Sequence, residues 1–284
     1  VHCLSLQACS LDEKPQLTML ASFARRAARS VLASPFERTL IRASAAKFTP
    51  LTSFQQLDAF GPLSVPQSRR QFSTEENPSH IPGCVANDAA AFLKEQLTEN
   101  WTPYLGIILG SGMGKIADAI EVEKVIPYDQ IPDFPVSTVE GHAGQVIFGK
   151  LHGLNVACYQ GRVHIYEGID PSVLRVPMYT LRLLGCQQYI ATTAVGSLMP
   201  GGVVPGDLVA ISDHINLQGK SPLVGPNDPI GPRFVDMSNA YDLELRETLQ
   251  SIASDNDIVL HEVGQCALVG QLRLIKHVFV LPQL

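Results

Sequence analysis

The chain has 284 residues, 45% of them hydrophobic and 17% charged, with a formal net charge of −6. That length holds one large domain or two small ones, each with a real core. No run approaches the roughly 20 apolar residues of a membrane helix, which excludes a helical span. The six cysteines (Cys3, Cys9, Cys84, Cys158, Cys186, Cys266) show neither CxxC nor a paired metal spacing, so no metal site is expected. Cys158 and Cys186 sit in apolar runs and read as small core residues of a reducing compartment.

The charge is unevenly spread. Between Met19 and Phe72, eight basic residues face two acids, Glu37 and Asp58. The rest of the chain is strongly acidic, which argues against nucleic acid as the main partner. The basic arm has two readings, a nucleic-acid-binding tail or a targeting sequence. Residues 1–18 precede the first Met and read as a fragment or leader. From Met19 the chain is rich in Arg and Ser. At 100° per residue, Arg25, Arg26 and Arg29 fall opposite Leu20, Phe23, Ala27 and Val31. That is the amphipathic character of an organelle transit peptide spanning 19–72, with Arg70-Gln71-Phe72-Ser73 resembling a mitochondrial processing site. A mitochondrial destination is expected, with cytoplasm or plastid as alternatives. Residues 73–85 read as linker, and the folded domain is expected over 86–262.

A helix is expected near Asp88–Thr98, with Asp88 as N-cap and Ala89, Phe92, Leu93 and Leu97 as its apolar stripe. The apolar run Leu105–Leu109 reads as a strand entering Gly110-Ser111-Gly112-Met113-Gly114, followed by a helical stretch through Ile120. Strand, glycine loop and helix would aim free backbone N–H groups at an anion. The loop matches neither a P-loop, since Leu109 and Ile116 stand where Gly and Ser or Thr are needed, nor GxGxxG. A glycine turn without ligand stays open. Gly141-His142-Ala143-Gly144 lies in a polar loop. Gln145–Gly149 and Asn155–Gln160 read as a hairpin around His152-Gly153.

The stretch Gln160-Gly161-Arg162-Val163-His164-Ile165-Tyr166-Glu167-Gly168 is the centre of the functional reading. If it stays extended past Gly161, Arg162, His164 and Tyr166 share one face while Val163 and Ile165 anchor the other. Arg offers a planar fork of donors suited to phosphate, and the Tyr166 ring and hydroxyl suit a sugar. An Arg162–Glu167 surface pair at an ordinary strand end is the bland alternative. Beyond it, Asp170-Pro171 starts a helix with a kink at Pro177, ending near Leu184-Gly185. Gln188–Thr192 and Leu208–Ile211 read as buried strands, and 217–237 as a long Gly/Pro-rich loop of functional or interfacial kind. Ser238 is expected to cap a helix carrying Tyr241, Leu245, Leu249 and Ile252 on one face. Alternating strands and helices predict an α/β chain with a parallel or mixed central β-sheet flanked by helices.

With these pieces laid out, the chain resembles the trimeric purine nucleoside phosphorylase family. The matching text is Leu-Gly-Ser-Gly-Met-Gly at 109–114, Ile-Pro-Asp-Phe-Pro-Val-Ser-Thr-Val-Glu-Gly-His-Ala-Gly at 131–144 and the 160–168 stretch. It continues with Asp-His-Ile-Asn-Leu at 213–217, Gly-Pro-Asn-Asp at 225–228, and Arg233-Phe234. The resemblance implies the nucleoside phosphorylase fold, a homotrimer, and phosphorolysis of a purine nucleoside to free base and ribose 1-phosphate. Inorganic phosphate is then a co-substrate, with no cofactor and no metal. It further implies that Ser111, His142, Arg162, Val163, His164 and the backbone of Ala194 hold phosphate. Tyr166 would contact ribose, Glu167 would orient Arg162, and Phe234 would close over the sugar in a neighbouring subunit's site.

The match departs from the family in two places. Thr192-Thr193-Ala194-Val195-Gly196-Ser197 stands where the family has Thr-Asn-Ala-Ala-Gly-Gly, and resembles the related methylthioadenosine phosphorylases, the runner-up. After Glu262 the family's Gly-Pro-x-x-Glu-Thr segment and purine-binding loops have no counterpart, and residues 263–284 read as an aberrant tail. A catalytically dead phosphate-binding remnant, or a non-catalytic trimer partner, are therefore further alternatives.

Overall fold

The computed structural model describes residues 2–8, 14–32, 80–110, 112–137, 143–195, 203–204, 207–263, 266–269 and 279–280. Ser111 and His142 therefore lie outside the described residues, as do 33–79, which hold most of the expected transit peptide and linker, and much of 263–284. Residues 1–28 with 78–284 form one compact unit. Of the second unit, 29–77, only the end of one helix is described.

The compact unit is built on a mixed eight-stranded sheet in the order β3-β4-β5-β2-β6-β1-β7-β9. Its strands are β1 (His2–Ala8), β2 (Leu105–Leu109), β3 (Glu121–Pro127), β4 (Gln145–Leu151), β5 (Leu154–Gln160), β6 (Gln188–Ala194), β7 (Leu208–Ile211) and β9 (Leu260–Val263). Strands β5, β2, β6 and β1 run parallel, β3-β4-β5 are antiparallel neighbours, and β7 runs antiparallel to β1. A small second sheet joins β8 (His214–Leu217), β10 (Cys266–Val269) and β11 (Phe279–Val280).

The expected mixed sheet with helices on both faces is what the chain forms. The apolar run of β2 is buried along its whole length, as a central strand covered on two sides must be. On one face Ile107, Leu109, Cys158 and Ile190 pack with helix α1 (Lys14–Leu32) through Met19, Leu20 and Phe23. The final helix covers the same face through Leu245, Leu249 and Ile252. On the other face Ile108, Ala157 and Tyr159 meet α2 (Asn87–Glu95) and α3 (Arg175–Leu184). Gly106 lets α3 approach closely, since a Cβ there would stand 2.8 Å from Leu181 Cδ1.

Several boundaries differ from expectation. The sheet includes His2–Ala8, read from sequence as a fragment or leader, and Leu20 and Phe23 of the expected targeting helix pack in the core with Met19. Cys266–Val269 pairs with β8 rather than trailing away from the fold. Helix α2 starts at Asn87, one residue before the expected cap, because the Asn87 amide bonds both Ile81 N and Ile81 O across the preceding turn. The helix expected after the glycine loop is a six-residue 3-10 turn, Gly114–Ala119, which leads straight into β3. The last helix, α4 (Leu243–Asp255), is capped by Asp242 accepting from Leu245 N, not by Ser238. Ser238 N donates instead to Asp236. At the hairpin, His152 and Gly153 both take positive φ (51° and 81°), the pairing that a two-residue turn between twisted strands needs.

Candidate active site

Strands β5, β2 and β6 are adjacent, parallel and in register. Their C-terminal ends therefore converge on one edge of the sheet, where open α/β sheets bind ligands. From β2 comes the Gly110 turn, from β5 the Gln160–Gly168 stretch, and from β6 Thr192-Thr193-Ala194. The expected phosphate residues Arg162, Val163, His164 and Ala194 are brought to this edge by chain connectivity alone.

Thr192 holds the edge together. It is buried, and its hydroxyl accepts from Gly110 N at 2.9 Å and donates to Ile108 O at 3.3 Å. The turn approaches so closely that a Cβ at Gly110 would sit 2.4 Å from Thr192 O. Gln160 ties the third strand in, donating to Gly114 O and accepting from the Gln145 amide. The helix N-terminus that the sequence suggested for anion binding is absent here. A short 3-10 turn stands in its place, and the Gly110 N–H is taken by Thr192 Oγ1.

Arg162 turns toward β6. Its Nη1 donates to Thr192 O and its Nη2 to Thr193 Oγ1, both at 2.8 Å. Loss of hydration lowers its pKa, partly offset by Tyr166. The guanidinium is thus a permanent positive charge in a poorly hydrated place, where it acts strongly on an anion. It lines a cavity of about 390 Å³ whose walls include Tyr128, Phe134, Tyr159 and Tyr189. Tyr128 supports the turn behind Arg162 by donating to Gly161 O at 2.9 Å.

The expected extended run ends at His164. Ile165–Glu167 is a 3-10 turn, so simple alternation fails beyond that point. The cause is Glu167, whose Oε1 accepts from His164 N at 2.6 Å and lies 3.1 Å from His164 Nδ1. A carboxylate only accepts, so the side-chain contact is a hydrogen bond in the tautomer that carries the His164 proton on Nδ1. Glu167 also accepts from Ser137 Oγ at 3.2 Å. Glu167, expected to orient Arg162, bonds His164, and Arg162 bonds the end of β6. His164 and Tyr166 still share a face, their rings stacked at 4.7 Å between centroids. Tyr166 is about half exposed, and Val163 is buried beneath the stretch.

Phe234 lies in the 217–237 loop and is 89% exposed, too much for a residue serving its own core. Sequence reading missed Thr192, Thr193 and Gln160 as organisers of the site. Two adjacent threonines ending an apolar strand were the available signal.

The phosphorylase superfamily model matches residues 104–273, past the boundary expected at 262. Purine nucleoside phosphorylase 1 of Geobacillus stearothermophilus is 48% identical over 175 residues, covering 61% of this chain and 63% of the relative. The purine nucleoside phosphorylase of Anopheles gambiae is 40% identical over 202 residues, covering 67% and 56%. Isoform 2 of the Schistosoma mansoni enzyme, solved with cytosine and ribose-1-phosphate, superposes with a TM-score of 0.59 at 38% identity, covering 67% and 66%. The chain thus spans somewhat less than two thirds of the length of the first two of these relatives. With its mixed sheet and its motifs in order, it belongs to the phosphorylase superfamily, as a member of the purine nucleoside phosphorylase family.

Proposed function

We propose that the chain performs phosphorolysis of purine nucleosides, with inorganic phosphate as co-substrate and no cofactor. The observation that carries this reading is the meeting of the Gly110 turn, Arg162 and Ala194 at the ends of three adjacent parallel strands. A phosphate oxygen forms a bond to the anomeric carbon of ribose as the glycosidic bond breaks. The purine departs with that electron pair and takes up a proton, leaving ribose 1-phosphate. Arg162, His164 and the Ala194 backbone, with Ser111 and His142, hold the phosphate beneath the sugar. Tyr166 contacts the ribose. Positioning and fixed charge supply the rate, since a preorganised donor acts without reorganising.

The exposure of Phe234 fits a residue that works in a neighbouring subunit, in a homotrimer. We also propose a mitochondrial destination from the basic 19–72 segment, reached without removal of the core residues Met19, Leu20 and Phe23, and tested by tracking a fluorescent fusion.

Replacing Arg162 by Ala should reduce phosphate-dependent purine release on the order of 10²–10³-fold. Wild-type phosphate dependence in that variant would sink the assignment. The Thr192-Thr193-Ala194 text keeps a 5′-methylthio nucleoside as a second substrate to assay in parallel. Its preference over the ordinary nucleoside would move the chain to the methylthioadenosine branch. Phosphate binding without release of either base would point to a non-catalytic role.

A further inference from the structure

The loop that carries Phe234 is anchored to the rest of the domain. Asp228 is 7% exposed, and its two carboxylate oxygens are divided between two chain segments. One accepts from Val85 N and the other from Ile230 N, each at 3.1 Å. The Asp228 carbonyl accepts from Gly231 N at 3.4 Å, closing a tight turn. Ile230 packs on the small cluster of Cys84, Ala86, Ala90 and Leu183, beneath the N-terminal end of α2 and against α3. On the outer side Arg175 donates to Pro226 O at 3.2 Å, and the Arg233 guanidinium closes the loop on Gly225 O. Phe234 follows directly, standing clear of the surface.

We propose that Asp228 is a positioning residue that fixes the 225–233 loop to the 81–86 turn and so presents Phe234 as a rigid aromatic to the sugar side of a neighbouring copy's site. The proposal rests on the reading of Phe234 given above. An exposed aromatic on a free loop would lose rotamer and backbone freedom each time it docked. A loop pinned in advance avoids most of that cost. Only a short side chain with two acceptors can serve both N–H groups. Asn keeps one acceptor and turns an NH₂ toward the other donor. Asp228 contacts no reacting group, so its effect falls on the loop first and on nucleoside binding second.

The Arg233–Phe234 bond is itself a trypsin site, which gives a readout independent of activity. In the full-length Asp228→Asn protein, limited trypsin digestion followed by mass spectrometry should show this bond cut at least tenfold faster. Amide exchange at Val85 and Ile230 should rise with it. In steady-state assays the same variant should raise KM for the nucleoside several-fold, leaving kcat and KM for phosphate near the parent values. Phe234→Ala serves as the reference. If Asp228→Asn purifies poorly, Arg175→Gln removes the bond to Pro226 O from the exposed side and is expected to speed the same cut. Unchanged cutting and exchange in both variants would overturn the anchoring. A loosened loop with unchanged nucleoside KM, where Phe234→Ala raises it, would overturn the positioning role. If Phe234→Ala itself leaves nucleoside KM unchanged, the reading of Phe234 fails, and the proteolysis still decides whether Asp228 holds the loop.

Discussion

At the scale of single residues, Thr192 couples the glycine turn to Arg162: its hydroxyl serves Gly110 and Ile108, and its carbonyl serves the guanidinium. Thr192→Val keeps the shape and removes the hydroxyl, leaving a buried N–H without its partner. The expected loss is about 1–3 kcal/mol in denaturant unfolding, accompanied by weaker phosphate dependence. Thr192→Ser should recover most of both. The buried thiols make a second prediction. Burial pushes Cys84 up to about 11 and Cys158 up to about 12, from an ordinary value of 9.0. Above pH 9 the unfolded chain therefore ionises these thiols while the folded one keeps them protonated. Their contribution to stability is complete below pH 9 and is lost as pH rises toward about 11–12. Unfolding midpoints measured from pH 8 to 11 should hold to about pH 9 and then fall, and Cys→Ala at 84 or 158 should flatten the fall. Neither thiol should react appreciably with alkylating reagents in the native state at pH 8, because the thiolate is the nucleophile.

At the scale of elements, helix α4 is held by one apolar stripe and one cap. Leu249 is fully buried against the sheet. Its replacement by Ala should cost about 2–5 kcal/mol, and loss of the Asp242 cap about 0.5–2 kcal/mol, both read as shifts in denaturant midpoint. The stripe was legible in the sequence because its period is local, but the cap was not. Ser238 and Asp242 are both acceptable caps by type, and the choice is made by which backbone N–H lies within reach. Strand β2 and the His152-Gly153 hairpin were legible for the same reason, and α3 in part: Asp170 caps a 3-10 turn, Pro171–Leu174, and the α-helix starts only at Arg175, with Pro177 in its first turn rather than at a mid-helix kink. The helix after the glycine loop was over-read. With β3 starting at Glu121, the chain has room for little more than one turn, and so short a segment does not nucleate an α-helix. The bend after His164 carried a readable cue in Glu167, three residues on, which captures the His164 N–H. Strand β1 carried an alternating pattern, yet its identity as a strand depends on partners far along the chain.

At the scale of the whole molecule, two strands that never touch each other, β6 and β7, are joined through β1. Taking β1 away leaves both with unpaired N–H and C=O groups in the middle of the sheet, a template for association with other chains. A variant lacking residues 2–8 should lose its cooperative unfolding transition and aggregate, as read by circular dichroism and light scattering. Separately, the trimer predicted from Phe234 should appear in sedimentation equilibrium as three times the chain mass, and Phe234→Ala should weaken it.

The place of β1 also sets a timetable for synthesis. Leu4 pairs with Ile190, so β1 waits until β6 has been made before it gains that neighbour. At translation rates of about 5–20 residues per second, that wait is on the order of ten to forty seconds. Through all of it the nascent chain carries a strand with no ladder to join. Such a chain would depend on a holdase more at its beginning than at its end, and slowing the ribosome between codons 8 and 188 should lower the yield of folded protein rather than raise it.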